Sequence, residues 1–258
     1  MSDNLFDLDG KTAMVVGAGG VLGRRSALVL GRRGARVVIA DYAVASEGLD
    51  ETAKLLSDES IASVSIVCDV TDENSVNAAV SVATRDRPLA ILVNAAGIML
   101  RRGVTETSLS EWQRVIDVNL TGTWLLNRAA VQSMAMARWG RIVNIASVYA
   151  ERVGPVPESA YYASKAAIGN LTRSIASEFG VQGVNVNCLA LGVFYPTGMT
   201  AALSEAPDTL AWFSERTMLK RLGDPQRDLD GPLLLLASPA SDYMTGQILY
   251  VDGGWSAW

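Results

Sequence analysis

The chain contains no histidine and only two cysteines among its 258 residues. The first absence removes the side chain that most often moves protons near neutral pH. Together they remove the usual ligand sets of a zinc centre. Cys68 and Cys188 stand at the ends of separate apolar runs, outside any metal-ligand spacing. Two thiols cannot frame a disulfide scaffold, so both read as buried structural cysteines. A basic excess is also missing. Lys plus Arg number 22 against 27 for Asp plus Glu, a net charge of −5, which argues against a nucleic-acid partner. No apolar run approaches the ~18 residues a membrane helix needs. The start Met-Ser-Asp-Asn-Leu-Phe-Asp lacks the basic and apolar regions of a signal peptide. A cytoplasmic chain with no membrane partner is the expectation. No Gly/Pro-rich linker, charge run or internal repeat divides the sequence. Residues 1–258 are therefore expected to form a single domain, and 49% hydrophobic content can fill a large core.

What is present is alternation. Apolar runs at Thr12–Val16, Arg36–Ala40, Ser63–Val67, Leu89–Val93, Arg141–Ala146, Asn185–Leu189 and Gln247–Val251 read as strands. Several are almost wholly apolar, as strands covered on both faces must be. Amphipathic stretches at Val21–Arg33, Ala45–Ser57, Glu73–Thr84, Ser108–Met136, Glu158–Phe179 and Pro225–Ala237 read as helices, the fourth broken near Gly122. Strand-helix alternation predicts an α/β, doubly wound, mostly parallel seven-stranded sheet with helices on both faces, a three-layer αβα arrangement.

Two local patterns carry chemistry. The first strand runs into Gly17-Ala18-Gly19-Gly20-Val21-Leu22-Gly23, and a helix follows. Glycines there let the backbone approach a pyrophosphate, and the helix start offers free N–H groups to it. The next strand ends at Asp41, whose carboxylate suits ribose hydroxyls and repels a 2′-phosphate. Tyr42 follows, so no basic side chain adjoins it to hold that phosphate. These residues favour NAD over NADP as cofactor, unless Arg24 reaches the ribose. The second pattern is Tyr161-x-x-x-Lys165, with Ser147 upstream. An i,i+4 pair shares one helix face. An ammonium beside a phenol lowers its pKa from ~10, which allows proton exchange at neutral pH. On its own that spacing is common on solvated helix faces.

The ordered set resembles the short-chain dehydrogenase/reductase family over nearly the whole chain, Leu8 to Gly254. The matching motifs are the loop at 17–23, Asp69 after the third strand, Asn94-Ala95-Ala96-Gly97 after the fourth, and Val118-Asn119-Leu120. Asn144-Ile145-Ala146-Ser147, Tyr161-x-x-x-Lys165 and Val251-Asp252-Gly253-Gly254 complete it. The resemblance implies a Rossmann-like NAD-binding enzyme that moves a hydride between the cofactor and a secondary alcohol or ketone. It implies Tyr161 as general acid/base, Ser147 orienting the substrate oxygen, and Lys165 lowering the Tyr161 pKa while binding the nicotinamide ribose. Asn119 would hold a water linking Lys165 to solvent. Cofactor contacts would come from Gly17, Gly19, Gly20, Val21, Leu22 and Gly23, from Asp41 and Tyr42, and from Cys68, Asp69 and Val70. Asn94, Ala95, Ala96 and Gly97 would line its path, with Gly192, Val193 and Thr197 near the carboxamide. The chain departs from the family at Val16, which replaces Thr, at Val21, which replaces the second Gly, and at Leu191, which replaces Pro.

Substrate walls are expected from Ile98–Gly103, Val148–Val156 and Gly192–Trp212, with Met99, Val148, Arg152, Tyr162 and Phe194 as contacts and a lid over 193–215. Arg101, Arg102 or Arg152 could meet a substrate carboxylate. The Phe194–Thr200 segment and the tryptophan-rich terminus resemble members that oxidise sugar acids or polyols, such as gluconate 5-dehydrogenases. A 3-oxoacyl thioester reductase and a non-catalytic NAD-binding regulator are the alternatives. An epimerase or dehydratase holding NAD is a further one, for which the chain is short. The family implies a homotetramer or homodimer. The ending Trp255-Ser256-Ala257-Trp258 reads as a tail buried against a partner subunit.

Overall fold

The computed structural model describes residues 5–258. Seven strands form one sheet in the order β3-β2-β1-β4-β5-β6-β7. They are β1 (Thr12–Val16), β2 (Arg36–Asp41), β3 (Ser63–Val67), β4 (Leu89–Asn94), β5 (Gly140–Ser147), β6 (Val184–Leu191) and β7 (Ile248–Val251). Every neighbouring pair is parallel. The expected strands are all present, each within two residues of its sequence bounds, and the sheet is wholly rather than mostly parallel.

Side-chain alternation along β1 shows why. Ala13 and Val15 point into one core with α1 (Val21–Gly31) and α2 (Ser46–Asp58), while Met14 and Val16 point into the other. That second core is filled by α3 (Glu73–Thr84), α5 (Gly122–Met136) and α6 (Ser159–Phe179). With both faces covered, β4, β5 and β6 are buried at every position. The edge strand β3 is partly exposed throughout and reads Ser-Val-Ser-Ile-Val. Leu125, Leu126 and Met134 of α5 serve this sheet packing. Trp124 stays exposed, with the Arg128 guanidinium over its ring.

Three helical regions differ from the sequence reading. The long fourth helix divides into α4 (Leu109–Ile116) and α5 through a wide π-turn at Asp117–Thr121, so the chain stays helical across the expected break. The lid stretch holds a helix that sequence reading left out, α7 (Pro207–Arg216). The last helix, α8, begins at Asp230 rather than Pro225. Asp224 holds the intervening residues in turns, accepting at its carboxylate from Gln226 N and at its carbonyl from Arg227 N and Asp228 N.

Within the terminal tail Trp258 is 61% exposed, and only Trp255 differs from the expectation. Trp255 is 2% exposed within its own chain, stacked edge-on against Tyr149 and Trp212 and tilted against Phe213. It completes a core cluster of this chain and so is not held back for a partner.

Candidate active site

The carboxyl ends of β1, β2 and β4 open onto a groove of ≈ 800 Å³. Two glycines shape it. Gly17 has φ +82°, and a Cβ there would lie 2.7 Å from the Ala95 carbonyl carbon. At Gly23 a Cβ would sit 2.1 Å from Gly17 O, so α1 can start this close only on glycine. At Gly20 a Cβ would stand 3.4 Å from Gly17 O. Val21 is the first residue of α1 and keeps the helix start intact. The departure at Val21 therefore leaves the cradle whole, and the first-turn N–H groups of α1 are free for an anion.

Most of the expected cofactor residues line this groove: Gly17, Gly19, Gly20, Val21, Leu22 and Gly23 from the loop, Asp41 and Tyr42 from the end of β2. Cys68, Asp69, Val70, Ala95, Ala96, Gly97 and Thr197 join them. Asp41 accepts from Gly19 N at 2.7 Å and from Tyr42 N at 2.7 Å, which fixes its carboxylate at the loop. Arg24 turns away. It bonds Thr52 Oγ1, Gly19 O and Gly48 O, and pairs with Glu51 at 2.7 Å. Asp69 accepts from Thr71 N and Thr71 Oγ1, a strand-end turn as well as a groove wall. Asn94 lies beneath the groove, 3% exposed. It donates to Thr123 Oγ1 and accepts from Ala96 N, which pins the backbone crossing. Gly192 and Val193 line the adjoining cavity instead of the groove. Both cysteines are buried, and burial raises the Cys68 thiol to about 12.

That cavity, ≈ 120 Å³, holds Ser147, Tyr161 and Lys165. It shares Leu22, Ala95, Gly97, Thr197 and Met199 with the groove, so the two spaces adjoin. Ser147 ends β5 and Tyr161 sits in the first turn of α6, which is why residues distant in sequence meet here. Ser147 Oγ accepts from Tyr149 N at 3.2 Å, so it caps a short turn while lying beside Tyr161. Lys165 Nζ donates to Ile145 O at 2.9 Å and stands 5.6 Å from the Tyr161 ring centre. Asn119 occupies the π-turn and is fully buried. Its Oδ1 accepts from Ile98 N, and its Nδ2 donates to Ile98 O and Ser164 Oγ. A Cβ on Gly97 would stand 3.4 Å from Asn119 Oδ1 and 3.5 Å from Lys165 Nζ, which brings all three together.

The expected Tyr161 shift runs the other way. Burial pushes the Tyr161 phenol up to about 12, and the Ser147 hydroxyl pulls it partly back. Burial also drives Lys165 down to about 8. Both groups are desolvated, and the ammonium is engaged by the Ile145 carbonyl, so burial outweighs attraction.

Of the expected substrate residues, Met99, Val148 and Phe194 line the cavity. Arg152 does not. It is exposed and bonds Ser256 O and Glu151 O. Tyr162 also stands outside the lining. Its hydroxyl donates to Val156 O at 2.6 Å and its ring packs on Tyr149. Tyr149 lies in the expected wall segment 148–156, and Thr200, Leu203 and Phe213 in the expected lid, and all four line the cavity; sequence reasoning missed Glu158. Arg101 also lines it, and its Nε bonds Glu158 Oε1 at 3.0 Å. Thr200 stands near Thr197, whose hydroxyl it meets at 2.9 Å. Glu158 left no trace, because its neighbours in sequence read only as a helix start.

The comparisons with known proteins agree with this geometry. Residues 17–256 match the family model described as enoyl-(acyl carrier protein) reductase, a short-chain dehydrogenase model. The chain is 38% identical to galactitol 2-dehydrogenase (L-tagatose-forming) of Cereibacter sphaeroides, over 98% of each chain. It is 36% identical to 5-keto-D-gluconate 5-reductase of Escherichia coli K12, again over 98% of each. A solved gluconate 5-dehydrogenase from Burkholderia cenocepacia J2315, in complex with NADP and tartrate, superposes with a TM-score of 0.92. It is 33% identical and covers 99% of this chain and 98% of that one. With the glycine cradle, the buried Ser147-Tyr161-Lys165 set and this full-length likeness together, the chain belongs to the short-chain dehydrogenase/reductase family.

Proposed function

We propose that this protein is an NAD-linked dehydrogenase of secondary alcohols whose substrate is a polyol or a sugar acid. One observation carries the reading: Ser147, Tyr161 and Lys165 line a small cavity that adjoins a dinucleotide-sized groove. The groove fits the cofactor, because side chains at Gly17 and Gly23 would fill the close backbone approach the loop requires. Asp41 would take the adenosine ribose hydroxyls. With Arg24 committed to Glu51 and three other oxygens, it is not free to hold a 2′-phosphate beside Asp41, which supports NAD over NADP. NADP in the Burkholderia structure is that protein's ligand.

A bound nicotinamide would supply the hydride acceptor or donor. Tyr161 takes the alcohol proton in oxidation and gives one back in reduction. Ser147 bonds the reacting oxygen and turns it toward the phenol. Lys165 would hold the nicotinamide ribose and, drawn toward Tyr161, would favour the phenolate, and Asn119 holds the backbone behind it. The segment 193–215, with α7 and Phe213 on the cavity, forms the lid over a single-domain chain acting as a homotetramer or homodimer. The galactitol and keto-gluconate activities of the named relatives support the substrate class. The net charge of −5 speaks against a 3-oxoacyl group carried on an acidic protein.

The test is NADH formation with hexitols, aldonic acids and simple secondary alcohols, and NADH oxidation with 3-oxoacyl thioesters, beside a Tyr161→Phe variant. Turnover with NAD that falls by ~10²–10⁴ in the variant is expected. Turnover untouched by the substitution, or cofactor binding with no turnover on any substrate, overturns the reading.

A further inference from the structure

Apart from Lys165, the charged side chains lining the cavity are Arg101 and Glu158, and neither has a part in the proton transfer proposed above. Glu158 is the residue that opens α6, yet its side chain makes no capping bond to that helix. It turns to Arg101, and Oε1 accepts from Arg101 Nε at 3.0 Å. The Glu158 side chain is 3% exposed, while that of Arg101 is 35% exposed. Arg101 spends a second donor on Met199 O at 3.2 Å. The neighbouring backbone bond from Arg102 N to Pro157 O, 2.9 Å, holds the two segments in register.

An arginine at a cavity wall ordinarily attracts a carboxylate. Here the attraction is already satisfied from inside the protein. A substrate carboxylate brought to Arg101 would also face Glu158 in a space with little water, and two carboxylates so placed repel strongly. The second Glu158 oxygen accepts no hydrogen bond from the described residues. A substrate hydroxyl can donate to it without adding charge.

We infer that Glu158 is a specificity-determining residue, which pairs off Arg101 and selects a neutral polyol over a sugar acid. This rests on the proposed dehydrogenase activity, in which the polyol's carbinol hydrogen leaves as hydride to NAD and the hydroxyl proton to Tyr161. The test compares kcat/KM with NAD for hexitols and for gluconate. It uses the wild-type enzyme, Glu158→Gln, and Arg101→Gln/Glu158→Gln, each checked for an unchanged melting profile. The wild type should favour a hexitol by about tenfold or more, and Glu158→Gln should reverse that preference by freeing the Arg101 charge. The double variant should lose the gain on gluconate. A wild type that prefers gluconate, or a Glu158→Gln variant that loses equally on both substrates, overturns the inference. Tyr161→Phe, run on the same substrates, separates the failures. If its effect is large while the Glu158 pattern fails, only the inference falls. If no turnover depends on Tyr161, the dehydrogenase reading falls with it.

Discussion

The cofactor groove and the substrate cavity adjoin through Leu22, Ala95, Gly97, Thr197 and Met199, yet they are built differently. The groove is a backbone object. Its floor comes from the ends of adjacent parallel strands, and its tightest approaches, at Gly17 and Gly23, are fixed by the lack of a side chain. The cavity is a side-chain object, assembled from the ends of β4, β5 and β6, the start of α6 and the middle of α7. Its outer wall is sealed by an aromatic cluster in which Phe213, Tyr149 and Trp255 come from three distant segments. A backbone object tolerates little and varies little. A side-chain object can be retuned by single residues, which is where substrate choice resides.

The largest effect that tests this contrast lies where the two regions meet. Lys165 is held at about 8 by burial, below the ordinary 10.5. Between those pH values the unfolded chain binds more protons at this site than the folded chain, so stability rises with pH across that window. Below pH 8 the buried ammonium costs the fold on the order of 3 kcal/mol, partly offset by ~1 kcal/mol from its bond to Ile145 O. Lys165→Met should therefore melt higher than the wild type at neutral pH without cofactor. The gain should shrink as pH rises toward 10.5, while turnover falls sharply. Melting curves of both proteins at several pH values decide it. A variant less stable at every pH would mean that the ammonium supports the fold.

Gly23→Ala probes the groove alone. Its Cβ would meet Gly17 O at 2.1 Å and Ala18 Cα at 2.9 Å, both backbone atoms that cannot swing aside. Overpacking of this kind costs about 1–3 kcal/mol, and it should weaken NAD binding by tenfold or more, on the order of 1.4 kcal/mol. Gly20→Ala is the internal control, since its Cβ would find ordinary contact distance. It should cost under ~1 kcal/mol. Calorimetric NAD titration of both variants checks the pair, and equal losses would show that the loop needs flexibility rather than space.

The same division explains what was legible in the sequence. Strand positions, the parallel doubly wound sheet and the glycine loop with Asp41 follow from short-range signals: apolar runs of strand length, glycines at a strand end, a carboxylate after the next strand. Ser110, Gln113 and Arg114 of α4 and Asp117 of the π-turn, also on the groove, carried no such signal. Ser147, Tyr161 and Lys165 followed from an ordered motif set. Arg152 and Tyr162 failed as cavity residues because adjacency in sequence to the motif says nothing about direction. The Tyr162 hydroxyl turns back to Val156 O, and Arg152 reaches Ser256. Glu158 was invisible for the converse reason, since its role exists only where distant segments meet. The missed α7 had local signals after all: Pro207 at its first turn, Asp208 beside it and Arg216 in the last turn.

The smallest effect tests whether the cavity's outer wall is independent of the groove. Trp258 Nε1 donates to Arg216 O at 3.0 Å, at the last residue of α7, and the Lys220 ammonium lies 5.3 Å from its ring centre. The side chain is 61% exposed, so one partly solvated hydrogen bond and an exposed cation–π contact are at stake, together about 1 kcal/mol or less. Because α7 carries Phe213 into the cavity, Trp258→Ala should raise the substrate KM a few-fold through a loosened wall. NAD affinity should stay the same, since no groove residue touches the latch. An unchanged KM would mean that the Trp255 cluster holds α7 by itself. A parallel loss of NAD affinity would show that the two regions are mechanically one, because the segment from Thr197 to α7 would then be carrying strain from the cavity wall to the groove.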